Sequence, residues 1–461
     1  MKTLELISEK FVADTETALS LYLKLRKSWK YSALLESAQN TGSWGRYSFL
    51  AFGEKSIKDS KKPLETLQET LKDITIQETF HKFPGGLVGF CTYETATHYA
   101  KVKRPKDQLY DCEDIFFFLT DLVVIYDNFS STIEIIATTE DTKRAKEIIK
   151  NVKETIFKTP VRPAEIPLHS LKELSFDSSI TDEEFIKTVK IAKEYIKEGD
   201  IIQVVLSRAF YINREINPLN LYRALRHINP SPYMFFLELE DITLVGSSPE
   251  ALVKLENKKA YTRPIAGTRP RGKDDLEDRE LEEELLKDPK EKAEHVMLVD
   301  LARNDLSRVC TPGSIKVSSL MHIEKFSHVM HLVSDVEGVL KEEISPPEVL
   351  KVMLPAGTVS GAPKVRAMQI ISELEPHKRG IYAGAVGYIS FNRNMDMAIA
   401  IRTAIIKEGS VFIQAGAGIV ADSLPERELR EIHSKAGAIM KAIKIAMSVN
   451  VEAERAYAKE F

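Results

Sequence analysis

Residues 114–138, DIFFFLTDLVVIYDNFSSTIEIIAT, place the tightest limit on the fold. The stretch is dense in β-branched and aromatic residues and turns at DNFS, so it reads as a β-hairpin. Its apolar run over 115–126 is interrupted by Asp121 and is too short to span a bilayer. Further strand patterns lie at 31–53, 83–93, 200–211, 229–239 and 242–255. In the first of these, Leu34-Leu35-Glu36-Ser37 forms a strand end with a polar tip. Helical periodicity covers 12–30, 140–157, 181–199 and long segments of the C-terminal half. Strands cluster with strands and helices with helices, which predicts an α+β fold rather than a regular βαβ chain.

The stretch KTPVRPAEIPLHS carries three prolines and no periodicity. It places a linker at 158–175, between an N-terminal region (1–157) and a C-terminal region (176–455). The formal net charge of -4 argues against a general nucleic-acid binder. No continuous apolar core marks the N-terminus as a signal peptide. Cys91, Cys112 and Cys310 are widely spaced, form no zinc pattern and point to a reducing compartment. The expectation is a cytoplasmic protein with neither a nucleic-acid nor a membrane partner. No G-x-G-x-x-G or Walker pattern supports nucleotide binding.

Candidate chemistry gathers in the C-terminal half. Val411 to Lys435 reads as strand, glycine turn and helix, with Gly416-Ala417-Gly418 open to a ligand. Ser423 reads as the helix N-cap, with Pro425 in the first turn and Glu426 as capping partner. Glu428, Glu431 and Lys435 then share one side of that helix, either as a ligand site or as a solvated flank with a Glu431–Lys435 pair. In the helix after Asp288-Pro289, Glu294 falls within the apolar face of Ala293, Met297, Leu298 and Leu301. A carboxylate there needs a cation or a metal, and Glu291 lies one turn earlier. Over 396–406 the pattern alternates, which puts Asp396, Ala398, Ala400 and Arg402 on one face. Arg402 then ends a lane of small residues, fit for a carboxylate ligand or for one of the glutamates. PAGTVSGAPK (355–364) and the Gly267-Thr268 turn offer backbone amides to an anion. His331 lies in an apolar strand pattern, and Glu250 follows GSSP as a surface turn residue or a general acid.

Six stretches, in order, resemble the chorismate-utilising enzymes, and most closely their anthranilate synthase component I branch. They are PIAGTRPRG (264–272), EHVMLVDLARNDLSRV (294–309), PAGTVSGAPK (355–364), YAGAVGYIS (382–390), IRTA (401–404) and QAGAGIVADSLPERELREIHSK (414–435). The resemblance spans nearly the whole chain. It implies a large α/β sandwich of two sheets with helices outside, the N-terminal region belonging to the same body. It implies Mg²⁺ held by Glu294 and Glu431, with Glu291 and Glu428 behind them, against the ring carboxylate of chorismate. Gly267, Thr268, Tyr382, Arg402, Gly416, Ala417, Gly418 and Lys435 match chorismate-binding positions, Arg402 and the glycine amides taking the enolpyruvyl carboxylate. Glu250 matches a general acid for the leaving C4 hydroxyl, so its pKa is expected to be raised. His331 and Thr358 match positions near the reacting ring.

Two residues choose among branches. Gln203 stands where isochorismate and salicylate synthases carry a water-activating lysine, which leaves ammonia as nucleophile. Ala266 in PIAGT replaces the lysine of the PIKGT motif in aminodeoxychorismate synthase component I, the alternative reading. The resemblance therefore implies ammonia addition at C2 with loss of the C4 hydroxyl, then loss of pyruvate to give anthranilate, the first committed step toward tryptophan. Leu34-Leu35-Glu36-Ser37 and NPSPYM (229–234) match the two walls of a feedback site for L-tryptophan. Glu36 and Ser37 would meet its ammonium, with Pro232, Tyr233 and Met234 opposite. No glutaminase machinery is present in the sequence, so a separate glutamine amidotransferase subunit is expected to supply ammonia.

Overall fold

The apolar runs assemble into two large, mainly antiparallel sheets packed face to face, with helices outside them. The computed structural model describes residues 2–38, 45–77, 79–161, 163–168, 173–326 and 329–449. In the larger sheet, Gln203–Ile212, Ser410–Ile419, Thr403–Lys407, Ile242–Ser248 and Tyr233–Leu239 lead into Tyr31–Glu36, Tyr47–Gly53, Leu122–Asp127, Thr132–Thr139 and Lys2–Val12. The smaller sheet runs from Ile265–Pro270 and Val329–Val339 through Lys259–Thr262, Ala251–Glu256, Met395–Ile399 and Ala385–Ser390. It ends in Gly86–Cys91, Ile115–Leu119 and Lys55–Asp59. Strands from both sides of residues 158–175 thus lie in each sheet.

Side-chain alternation builds two cores. Val88, Phe90, Phe116, Phe118, Phe235 and Leu237 fill the space between the sheets. Their neighbours Leu87, Ile115, Phe117, Met234 and Phe236 belong to the core that the helices cover. Strands buried on both faces read as continuous apolar runs. Each fully buried phenylalanine contributes about 1.5–3 kcal/mol relative to exposure.

The same double burial explains where the sequence reading departs from the structure. The turn between Leu122–Asp127 and Thr132–Thr139 lies where expected, but Ile115–Leu119 pairs in the smaller sheet while Leu122–Asp127 pairs in the larger. Asp121, the break in the apolar run, marks the crossing; its N–H donates to the Phe52 carbonyl and its carbonyl accepts from Thr138. Residues 396–406 behave likewise. Met395–Ile399 lies in the smaller sheet and Thr403–Lys407 in the larger, so Asp396 and Arg402 do not share a lane. The chain turns between them, with Arg402 at φ 51°.

Other local expectations are also corrected. Gly416-Ala417-Gly418 is strand interior, paired with Val205, Leu206 and Ser207, and is no turn. Its glycines serve close approach. A Cβ at Gly416 would stand 2.5 Å from the Tyr382 hydroxyl, and one at Gly418 would stand 2.5 Å from Gln203 Nε2. Leu424, not Ser423, caps helix Pro425–Ala446, because the Ser423 hydroxyl accepts the Val420 N–H instead. Helix Pro289–Val309 seats His295, Val299, Leu306 and Val309 on the sheet and exposes Ala293. Glu294 therefore lies at the rim of a cleft, its side chain 33% exposed, rather than in packed core. Helix Pro218–Ile228 went unread, although Asn217 caps it by accepting from Leu219 and Asn220 and Pro218 opens it.

Candidate active site

The cleft forms where the chain passes twice from sheet to sheet. One passage, Pro249-Glu250, links Ile242–Ser248 to Ala251–Glu256, and the other, Ala400-Ile401-Arg402, links Met395–Ile399 to Thr403–Lys407. The two are stitched together. The Ile399 N–H donates to the Glu250 carbonyl at 3.0 Å, and the Ser247 N–H donates to the Arg402 carbonyl at 3.0 Å.

Glu250 is only 8% exposed and has no cation within ion-pair distance among the described residues. Burial pushes its carboxyl up to about 8, against the smaller opposing pulls of the Thr358 hydrogen bond and the Lys435 charge. It is therefore a neutral acid at pH 7. Thr358, from PAGTVSGAPK, donates its hydroxyl to Oε1 at 2.9 Å.

Arg402 is the charge counterpart. Burial draws its guanidinium below the ordinary arginine range, with Tyr382 and Glu431 opposing. No hydrogen bond or ion pair joins that guanidinium to any described residue, so the sequence alternative of an Arg402–glutamate pair is not formed. An arginine remains charged even so, and an unpaired desolvated charge is costly until an anion meets it. Strand Thr403–Lys407 pairs with Ser410–Ile419 only as far as Ile413, so the edge carrying Gly416–Gly418 has no strand partner on the Arg402 side. Lys435 closes that edge by donating to the Gly416 carbonyl at 2.9 Å and pairing with Glu431 at 2.6 Å.

Across the cleft mouth, burial raises the carboxyl of Glu294, and the charges of Glu291, Glu431 and Glu428 raise it further. Burial likewise raises Glu428, with Glu431 adding to it against a Ser423 hydrogen bond and Lys435. Lys290 approaches Glu294 only to 4.0 Å, whereas Glu291 is engaged by Arg269 at 3.2 Å. Glu294, Glu428 and Glu431 thus share a site with too little positive charge. Gly267, Thr268 and His331 form the far wall. His331 Nδ1 lies 3.0 Å from the Gly267 carbonyl and 3.1 Å from the Thr268 hydroxyl. The carbonyl can only accept, so Nδ1 carries the proton and Nε2 is left as a base. Burial lowers the pKa of His331, which favours the neutral ring. Gln203 reaches the same strand edge, and its buried Oε1 has no hydrogen-bond partner among the described residues.

Sequence reasoning missed the supports of this cleft. Arg379, 2% exposed, binds Glu375 and donates to the carbonyls of Val205 and Val359 at 2.7 Å each, tying the Thr358 loop to the Gln203 strand. The i,i+4 spacing of Glu375 and Arg379 was available, but nothing in it signalled burial. Lys364 pairs with Asp305 at 2.7 Å and fixes the same loop to helix Pro289–Val309.

A separate pocket opens between the sheets. Glu36, Ser37, Pro232, Tyr233 and Met234 all line it, with Arg46, Tyr47, Tyr388 and Asp396. Its polar groups are already engaged. Glu36 accepts from Tyr222 at 2.5 Å and lies 3.3 Å from Arg226, and the Tyr233 hydroxyl donates to Asp396 at 3.0 Å. Burial raises the Asp396 carboxyl to about 6. Among the described residues, no helix is long and apolar enough to cross a membrane.

The chain is 49% identical to anthranilate synthase component 1 of Aquifex aeolicus, covering 94% of each protein, and 42% identical to that of Thermus thermophilus, covering 95% of this chain and 97% of the relative. The crystal structure of anthranilate synthase component I from Streptococcus pneumoniae superposes with a TM-score of 0.78 at 34% identity, over 94% of this chain and 99% of that one. At 21% identity, the menaquinone-specific isochorismate synthase of Escherichia coli shares the fold with a TM-score of 0.75 over 95% of this chain and 94% of that one. Residues 22–441 match the family described as chorismate binding enzyme. The match spans most of the chain, and the chain belongs to the chorismate binding enzyme family.

Proposed function

We propose that this chain converts chorismate and ammonia to anthranilate and pyruvate. The observation that carries the reading is Glu250: a buried carboxyl, neutral at pH 7, facing a cleft that also holds an unpaired arginine. Chorismate is a dianion. Arg402 and the open Gly416–Gly418 edge suit its enolpyruvyl carboxylate, as a guanidinium beside backbone amides suits any carboxylate. Glu250, steadied by Thr358, would protonate the C4 hydroxyl as it leaves and as ammonia adds at C2. The C2 proton and the enolpyruvyl group then depart, giving pyruvate and the aromatic ring. Neutral His331, with Nε2 free, lies on the wall where a base for that proton is needed. Gln203 has no basic form and is therefore no activator of water, and the Ala266 methyl offers no amine. Both favour anthranilate over isochorismate or 4-amino-4-deoxychorismate.

The carboxylates Glu294 and Glu431, with Glu428 and Glu291 behind, suit a divalent cation. Burial and the neighbouring negative charges raise the affinity of Glu294 and Glu428 for protons, and a metal would relieve that. Among the described residues no cluster of three or more acidic, histidine or cysteine side chains is gathered to hold a metal alone. A pair of carboxylates completed by water and substrate oxygen is the Mg²⁺ pattern. Bound there, Mg²⁺ would supply positive charge for the ring carboxylate. The name component 1 carried by the relatives supports a second component, and an amidotransferase that delivers ammonia from glutamine fits the chemistry. The pocket between the sheets, with Glu36 and Ser37 opposite Pro232, Tyr233 and Met234, fits L-tryptophan as inhibitor. Chorismate, ammonium and Mg²⁺ with the purified chain test the reading. Blue-fluorescent 2-aminobenzoate and one pyruvate per turnover are expected. Formation of 4-amino-4-deoxychorismate without pyruvate would replace it with the alternative.

A further inference from the structure

The pocket and the cleft are linked through one buried serine. Ser247 is fully buried on strand Ile242–Ser248. Its hydroxyl donates to the Asn229 carbonyl and accepts from the Asn229 side-chain amide at 3.2 Å, and the Ser231 hydroxyl lies 2.8 Å away. Asn229 and Ser231 begin the NPSPYM turn, whose Pro232, Tyr233 and Met234 line the pocket. The opposite wall joins at the same point, since Ala38, next to Ser37, donates its N–H to the Ser231 carbonyl at 3.1 Å. On its other side, the Ser247 backbone N–H holds the Arg402 carbonyl. Arg402 has φ 51°, a conformation a non-glycine residue keeps only when its surroundings impose it. A small shift of the turn therefore reaches the backbone carbonyl of the residue that carries the unpaired guanidinium.

We infer that Ser247 is the positioning residue through which occupancy of the inter-sheet pocket weakens chorismate binding at Arg402. The inference rests on the reading of that pocket as an L-tryptophan site. A ligand that pushes on Tyr233 or Met234 moves Asn229 and Ser231, the Ser247 hydroxyl follows, and its N–H draws on the Arg402 carbonyl. The coupling is reciprocal, so chorismate must weaken tryptophan by the same factor that tryptophan weakens chorismate.

The test is the Kd of tryptophan by calorimetry, with and without chorismate, in the absence of ammonia, on the wild-type chain and on Ser247→Ala and Ser231→Ala. In the wild type, chorismate is expected to raise the tryptophan Kd by at least about fivefold. In Ser247→Ala, the Kd without chorismate stays within about twofold of wild type while the chorismate effect shrinks toward none. The tryptophan concentration for half-inhibition in turnover changes in step. Ser231→Ala is expected to do the same more weakly, and it carries the test if Ser247→Ala does not fold. Loss of tryptophan affinity in the variants without chorismate would make these serines ligand contacts and overturn the inference. An unchanged chorismate effect in the folded variants would overturn it as well. No tryptophan binding to the wild type would instead remove the reading of the pocket itself.

Discussion

The cleft and the inter-sheet pocket are built from the same two sheets but are finished differently. In the pocket, Glu36 has Tyr222 and Arg226, and Asp396 has Tyr233, so its polar groups are satisfied within the protein. In the cleft, the Arg402 guanidinium has no partner among the described residues, burial favours the neutral form of Glu250, and burial, with neighbouring carboxylates adding to it, pushes Glu294 and Glu428 up. The cleft thus leaves charge for ligands to balance, which the proposed dianion and cation would do. A ligand in the pocket must instead compete with bonds already made, which suits a site that shifts an equilibrium rather than one that drives chemistry.

The largest effects should come from cleft charges. Glu431→Gln leaves one of the paired carboxylates uncharged, and Mg²⁺-dependent anthranilate formation is expected to fall to background, measured by fluorescence across an Mg²⁺ titration. Retained Mg²⁺-dependent turnover would remove Glu431 from the metal site. Arg402→Ala should lower kcat/KM for chorismate by about a thousandfold, the scale of a lost buried charge-assisted pair. Because that guanidinium is unpaired in the free protein, thermal melting of Arg402→Ala without substrate should be no lower than wild type. A clear fall in Tm would mean the arginine has a structural partner.

Glu250→Gln should cut kcat by at least about a hundredfold. It also has a stability signature. The folded pKa of about 8 lies above the ordinary glutamate value, so the unfolded chain loses this proton first as pH rises. Wild-type stability should decline from the ordinary carboxylate range up to about pH 8 on account of this group. Glu250→Gln should lack that part of the decline in denaturant titrations at pH 5 and pH 8. The smallest effect belongs to the pocket. Tyr233→Phe removes one hydrogen bond to Asp396 and should cost about 1 kcal/mol of stability, with kcat in the absence of tryptophan near wild type. A loss of kcat comparable to that of the cleft variants would erase the distinction between the two regions.

Much of this contrast was legible in the sequence, and the reasons for the remainder are physical. The apolar runs identified the strands, and PIAGTRPRG through QAGAGIVADSLPERELREIHSK identified the family. The crossings at Asp121 and Ala400–Arg402 were invisible, because strands buried on both faces keep their pattern when the chain changes sheets. That hid the separation of Asp396 from Arg402 and placed Asp396 in the wrong region. The sequence pattern buries Glu294 because 3.6-residue periodicity locates a face but not which neighbour covers it; the sheet takes His295 and Val299 instead. Arg379 and Ser247 were missed because a residue that positions others carries no motif of its own.

The most direct test of the account is the pH dependence of kcat/KM for chorismate at a fixed, saturating concentration of free ammonia. The wild type should lose activity about tenfold per pH unit above pH 8, as Glu250 gives up its proton. The residual activity of Glu250→Gln should lack that limb. A wild-type profile flat from pH 7 to beyond 9, or the same limb persisting in Glu250→Gln, would contradict the assignment of Glu250 as the acid of the reaction.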